Sequence, residues 1–199
     1  MTCVAAERMA SPAPADLLVV DDHAAVRAGV VALLEDEDRL SLLPAVAGAK
    51  AALRAARRRR PQVALVDVSL EDGDGLRLCL DLKRLSSPPR VVLYTASADP
   101  LLEVKARLAG ADALLPKSAR ASELIQAIDA ALRGEPRMPA FDHDLLRAHT
   151  KHLAPEAMAI VGLRLNSTPI SGIGEVLGLT ENEVVTRIAG LLEILDARL

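Results

Sequence analysis

The chain has 199 residues, 51% of them apolar, and a formal net charge of -3. That length holds one domain of ordinary size plus a small one, and the charge argues against a chain that coats nucleic acid nonspecifically. No apolar run reaches membrane-spanning length.

Residues 1–15 show no basic stretch followed by an apolar run, so no signal peptide is expected, and their Ala, Pro and Ser content reads as a disordered lead-in. Leu17 to Val20 is a short apolar run that ends in Asp21 and Asp22, and a helical stripe of Val26, Val30, Leu33 and Leu34 follows. Leu40 to Val46 reads as an edge strand because Pro44 interrupts it. Gly48 to Arg60 reads as an alanine-rich helix closing in Arg57–Arg60. Cations complement the dipole at a helix C-terminus and Pro61 stops the helix, a reading preferred over a nucleic-acid patch.

Val63 to Val66 has the Val/Leu pattern of a buried parallel strand and ends in Asp67, followed by a polar, glycine-containing loop over residues 71–75. Alone, Asp67 reads as a loop-capping residue. A helix from Asp74 to Leu85, a strand from Arg90 to Thr95 and a helix from Asp99 to Ala109 come next. A short strand from Ala113 to Leu115 and a helix from Ser122 to Arg133, ended by Gly134, complete the alternation. Five strand–helix repeats predict an α/β fold, a five-stranded doubly wound parallel sheet. Tyr94 and Phe141 are the only aromatic residues, so Leu, Val, Ile and Ala must build the core. Cys3 and Cys79 lack metal-ligand spacing and fit a reducing cytosol, and a cytoplasmic location is expected.

A parallel sheet would bring Asp21, Asp22, Asp67, Thr95 and Lys117 to one edge. Converging carboxylates need a divalent cation, and an all-oxygen ligand set suits Mg²⁺. Lys117 adds a point charge for phosphate oxygens and Thr95 a hydroxyl, a set coherent with phosphoryl transfer onto a carboxylate. Neither His23 nor a cysteine has ligand partners at useful spacing. No glycine loop that cradles phosphates is present, so no nucleotide is implied.

From Asp16 to Gly134 the chain resembles the receiver domain of two-component response regulators. The resemblance rests on LLVVDDH, LVDVSLEDGDG, VVLYTAS and AGADALLPKSA. It implies that Asp67 accepts a phosphoryl group from a cognate histidine kinase. It further implies that Asp21, Asp22, Asp67 and the main-chain carbonyl of Ser69 hold Mg²⁺, and that Thr95 and Lys117 read the phosphorylated state. Two positions depart from the family pattern. Leu114 stands at the usual aromatic switch position, and Leu70-Glu71 replaces the Met-Pro after the acceptor.

Residues 135–150 read as a linker with one or two helical turns. Helices follow over Pro155–Leu165, Ile170–Leu177 and, capped by Thr180, from there to about Asp196. Residues 151–199 resemble the small all-α LuxR-type helix-turn-helix domain that follows receivers of the NarL/FixJ class. The apolar skeleton survives while charged positions change: Ala157, Pro169, Ile170, Ser171 and Val185 replace polar family residues, and Arg187 replaces a His. This stretch carries four basic residues against six acidic ones, and DNA affinity rests on cations. Two readings therefore stand. In one, Thr180, Asn182, Val185, Thr186 and Arg187 contact promoter DNA and the protein controls transcription as a homodimer. In the other, the domain binds protein, with an outward Val185 and the Leu-rich last helix as a dimer contact. No general acid or base lies outside the receiver set, so an enzyme acting on an outside substrate is not expected.

Overall fold

The computed structural model describes residues 13–96, 99 and 101–196, so most of the lead-in expected over residues 1–15 lies outside the described residues. In chain order the strands are β1 (Ala15–Val20), β2 (Leu40–Leu42), β3 (Val63–Val66), a hairpin of β4 (Ser69–Leu70) and β5 (Gly73–Asp74), then β6 (Arg90–Thr95) and β7 (Ala113–Pro116). The hairpin stands where the sequence predicted only a loop. The helices are α1 (Ala24–Leu34), α2 (Ala49–Arg59), α3 (Gly75–Leu82), α4 (Leu102–Ala109), α5 (Ala121–Leu132), α6 (His143–Thr150), α7 (Pro155–Leu165), α8 (Ile170–Leu177) and α9 (Glu181–Asp196).

The main sheet is five-stranded and parallel in the order β2-β1-β3-β6-β7. Alternate residues of each strand face opposite layers. Leu17, Val19, Leu65 and Val92 pack with Val30 and Leu34 of α1 and with Leu124 and Ile128 of α5. Leu18, Val20, Val66 and Leu93 pack with residues of α2, α3 and α4. Both faces are covered, which is why the strands read as continuous apolar runs. Pro44 ends β2 early, leaving Val46 to form a single parallel bridge to Val20.

Local signals set the helix ends. The carboxylate of Asp74 accepts from the N–H of Leu76 at 2.7 Å at the start of α3, and Asp142 caps α6 in the same way. Thr180 and Glu183 form a reciprocal capping box before α9. The arginines at the end of α2 lie in its last turn, as the dipole reading expects. The segment after α5 runs along the outer edge of β7. The Arg137 N–H donates to Asp112 O at 2.8 Å, and the Leu114 N–H donates to Arg137 O at 3.2 Å. This covers an otherwise open strand edge.

The helical C-terminal part packs on α4 through α7 and α9. Leu82, Leu101, Val104 and Leu108 belong to the same buried cluster as Ile160, Val185, Ile188 and Leu192. Val185, expected to face outward, is 3% exposed. The reason is that α9 carries two apolar stripes: Val184, Ile188, Leu191 and Leu195 form one, and Val185, Ala189 and Leu192 the other. A small three-helix unit can bury one of them, and α4 lies against the same helix. The dimer contact expected from Val185 and the Leu-rich end of α9 is corrected accordingly, because those side chains are already inside the chain's own core.

Polar ties cross the same boundary. Lys105 of α4, 3% exposed, pairs with both Asp99 and Asp196, and Arg84 donates to Asn182. Burial alone would lower the Lys105 pKa, but hydrogen bonds and charge from Asp196 and Asp99 outweigh it and hold the ammonium above its ordinary value. A raised lysine pKa contributes stability that is complete below the unfolded value of about 10.4. That contribution disappears as pH climbs through the folded value. Urea unfolding should therefore show wild type more stable than Lys105→Met at pH 8, with the gap narrowing as pH climbs past the unfolded lysine value of about 10.4; a pH-independent gap would contradict the ion-pair account.

Candidate functional site

Register brings the acidic groups together. Val20 pairs with Val66 across β1 and β3, so Asp21 and Asp67, one residue further on, emerge side by side. The Asp67 N–H donates to Val20 O at 2.8 Å, fixing the turn out of the sheet. Both carboxylates are 3% exposed. Thr95, at the end of β6, is equally buried. The Lys117 N–H donates to Thr95 O at 2.7 Å, and the Tyr94 hydroxyl donates to Lys117 O at 3.1 Å, so both sides of that main chain are held.

The ammonium of Lys117 sits 2.7 Å from Asp21 Oδ2 and 2.7 Å from Asp67 Oδ2. Burial opposes its charge, but bonds to Asp21 and Asp67 outweigh that and raise its pKa. Three carboxylates thus face one fixed cation. Asp22 accepts from the Glu71 N–H at 3.1 Å through Oδ2. Its buried Oδ1 has no hydrogen-bond donor of suitable geometry, although His23 Nδ1 lies 2.6 Å away. Carboxylate oxygens of Asp21, Asp22 and Asp67 and a ring nitrogen of His23 all lie within 4.8 Å of one another. The excess negative charge and the oxygen atom lacking a donor fit a hard divalent cation such as Mg²⁺. The expectation that His23 has no partners is corrected: following Asp21-Asp22 directly, it is swung beside them by the start of α1. Its adjacency to the acidic pair was the available signal.

Two scaffolding residues went unnoticed in the sequence. Tyr94 holds Lys117, as described. Gly75, the first residue of α3, lies so close to the acceptor loop that a Cβ there would collide with Asp67 O. Only glycine permits that approach. Ser69 lies beside Asp67, its N–H donating to Asp67 Oδ1 at 3.3 Å. Leu114 is nearly buried on β7, its N–H engaged by the segment after α5.

A cavity of about 500 Å³ opens from this edge. Asp22, Ser69 and Glu71 line one end, and Asp99, Lys105 and Asp196 the other, so the acidic edge and the end of α9 share one space. The five residues proposed for DNA contact do not form one open face. Val185 is buried, Thr180 is engaged in capping, and Asn182 accepts from Arg84. The Thr186 hydroxyl donates to Asn182 O, and Arg187 pairs with Glu156 at 3.2 Å.

Residues 17–129 match the family described as "Response regulator receiver domain". The chain is 28% identical over 195 residues to the transcriptional regulatory protein LiaR of Bacillus subtilis, covering 90% of each chain. It superposes on a LuxR-family two-component response regulator from Aurantimonas sp. SI85-9A1 with a TM-score of 0.60 and 28% identity, covering 67% of this chain and 94% of that one. The response regulator RcsB in a DNA complex shares the fold across 92% of both chains, with a TM-score of 0.61 and 18% identity. Among the described residues no helix is long and apolar enough to cross a membrane.

The Gly75 packing has a measurable consequence. Gly75→Ala should destabilise the chain by about 1–3 kcal/mol in urea unfolding and weaken Mg²⁺ binding at least about tenfold, since each 1.4 kcal/mol is a factor of ten. Unchanged Mg²⁺ affinity would show that the Asp67 loop tolerates the displacement.

Proposed function

Because this chain belongs to the two-component response regulators, we propose that Asp67 is its phosphoryl acceptor and that phosphorylation controls the helical output part. The observation that carries the reading is the buried Asp21–Lys117–Asp67 bridge at the end of adjacent parallel strands. A carboxylate oxygen of Asp67 attacks phosphorus of a phosphohistidine on a histidine kinase. The new bond is P–O, the broken bond is P–N, and the departing imidazole takes up a proton. Lys117 is placed to neutralise the incoming oxygens and the Thr95 hydroxyl to donate to one of them. Mg²⁺, held by Asp21, Asp22, Asp67 and the Ser69 carbonyl, supplies further charge neutralisation when bound. With Leu114 in the aromatic switch position, coupling runs through Asp99 and Lys105 to Asp196 on α9.

The domain division that accompanies this reading is a receiver over 16–134, a linker over 135–150 and an output domain over 151–199. The protein acts in the cytoplasm as a switch, and phosphorylation promotes homodimer formation. Control of transcription is the first reading of the output, supported by the similarity to LiaR over 90% of both chains and by the fold shared with DNA-bound RcsB. A protein-binding output is the second reading, favoured by the acidic balance of residues 151–199.

Incubated with Mg²⁺ and a small phosphodonor, the full chain should take up one phosphoryl group and Asp67→Ala none; labelling that persists in the variant would sink the assignment. The output is tested by selecting from random-sequence DNA at low salt, using the full chain with and without phosphorylation. Enrichment of a preferred site on phosphorylation is the expected outcome. If neither form retains DNA, the protein-binding reading replaces transcription control.

A further inference from the structure

A second cluster of charge lies away from the acidic edge, where α4 ends against α7. A cavity of about 330 Å³ is lined there by Arg90, Arg107, Asp112, Arg164 and Ser167, with the segment after α5 closing one side. Two glycines with left-handed backbone make room for the guanidinium groups. A Cβ on Gly110 (φ 87°) would collide with Arg164 Nη2, and one on Gly134 (φ 76°) would lie 3.0 Å from Arg90 Nη2.

The cations outnumber the anions. Asp112 is the one carboxylate lining the cavity, and it is already shared by Lys83 at 2.5 Å and Arg90 at 3.1 Å. Arg164 is 7% exposed, yet among the described residues no carboxylate pairs with it. It donates instead to Leu108 O at 2.9 Å and Thr168 O at 2.9 Å. Leu108 lies in the last turn of α4 and Thr168 just beyond α7, and helix C-termini offset part of a positive charge. Arg107 lies in the last turn of α4 as well. It donates through Nη2 to Pro139 O at 3.0 Å and lies over the Phe141 ring, while its buried Nε has no acceptor among the described residues. A buried guanidinium N–H without a partner is costly, and guanidinium groups bind carboxylate and phosphate through paired hydrogen bonds.

We propose that this junction cavity binds a small oxyanion, a molecule bearing a phosphate or carboxylate group, held by Arg107, Arg90 and Arg164. The site joins both parts of the chain, since Arg90 and Arg107 come from the sheet domain and Arg164 from α7. Occupancy therefore favours the arrangement in which α7 and α9 rest on α4. The signal would be a dissolved anion acting independently of phosphorylation at Asp67.

The test is calorimetric titration of the full chain with inorganic phosphate and, separately, with succinate, at constant ionic strength and without divalent cations. Saturable one-to-one binding of either anion is expected, and whichever binds assigns the phosphate or carboxylate chemistry. Arg107→Gln should weaken it at least about tenfold, the loss of one charge-assisted bond. Arg90→Gln, which leaves Asp112 paired with Lys83, should weaken it too and serves if the first variant does not fold. The double variant Arg57→Gln/Arg58→Gln on α2 should bind as wild type does, separating this site from general surface charge. Absence of saturable binding for both anions, or binding unchanged in the folded Arg107 and Arg90 variants, overturns the proposal.

Discussion

Two carboxylates forced together at the end of adjacent strands, almost out of reach of water, are the constraint around which this molecule is built. Like charges held that close repel one another unless a cation lies between them. Lys117 supplies it, and reaching both oxygens at 2.7 Å requires that its main chain be fixed. The bond to Thr95 O and the Tyr94 hydroxyl do that, while Gly75 lets α3 approach the acceptor loop. The same charge excess makes the site responsive. One cation against three carboxylates leaves room for a metal ion, and any group added to Asp67 must be balanced by rearranging these partners.

The output part answers to a different force. Its last helix is apolar on two sides, and both are buried, the second in a cluster that also contains residues of α3 and α4. Separating the two parts would expose Val185, Leu192 and their partners, at a cost of about 1.5–3 kcal/mol for each large side chain brought fully into water. This boundary behaves as a core, with Lys105 and its two aspartates at the edge that shares a cavity with the acidic site.

Charge is distributed unevenly over the chain. The net value of -3 conceals an acidic edge at the end of the strands, a basic last turn on α2 and an arginine-rich junction between the two parts. The α2 cations are exposed and complement their own helix, so they need no ligand. At the junction Arg164 is buried and Arg107 half-buried, and the single carboxylate beside them is already shared. Burial is what separates a cation that solvent satisfies from one that calls for a counterion.

Strand and helix alternation, the carboxylate-ended strands and the cap at Thr180 could be read from the chain, because each depends on neighbours a few residues away. The order Asp21, Asp22, Asp67, Thr95, Lys117 was legible for the same reason: in a parallel sheet every strand end falls on one edge. His23, Tyr94 and Gly75 were not read out, since their roles arise from groups that only the folded register brings near them. Val185 was assigned to solvent because helical periodicity shows that a face is apolar without naming what covers it. The second stripe of Val185, Ala189 and Leu192 was visible, but its partner, α4, lies far earlier in the chain. The arginine cavity is likewise a tertiary product, for Arg90, Arg107 and Arg164 belong to three separate elements. What is local in the chain, periodicity and capping, was determined by sequence; which side chains meet across elements, and whether water remains between them, was decided by packing alone.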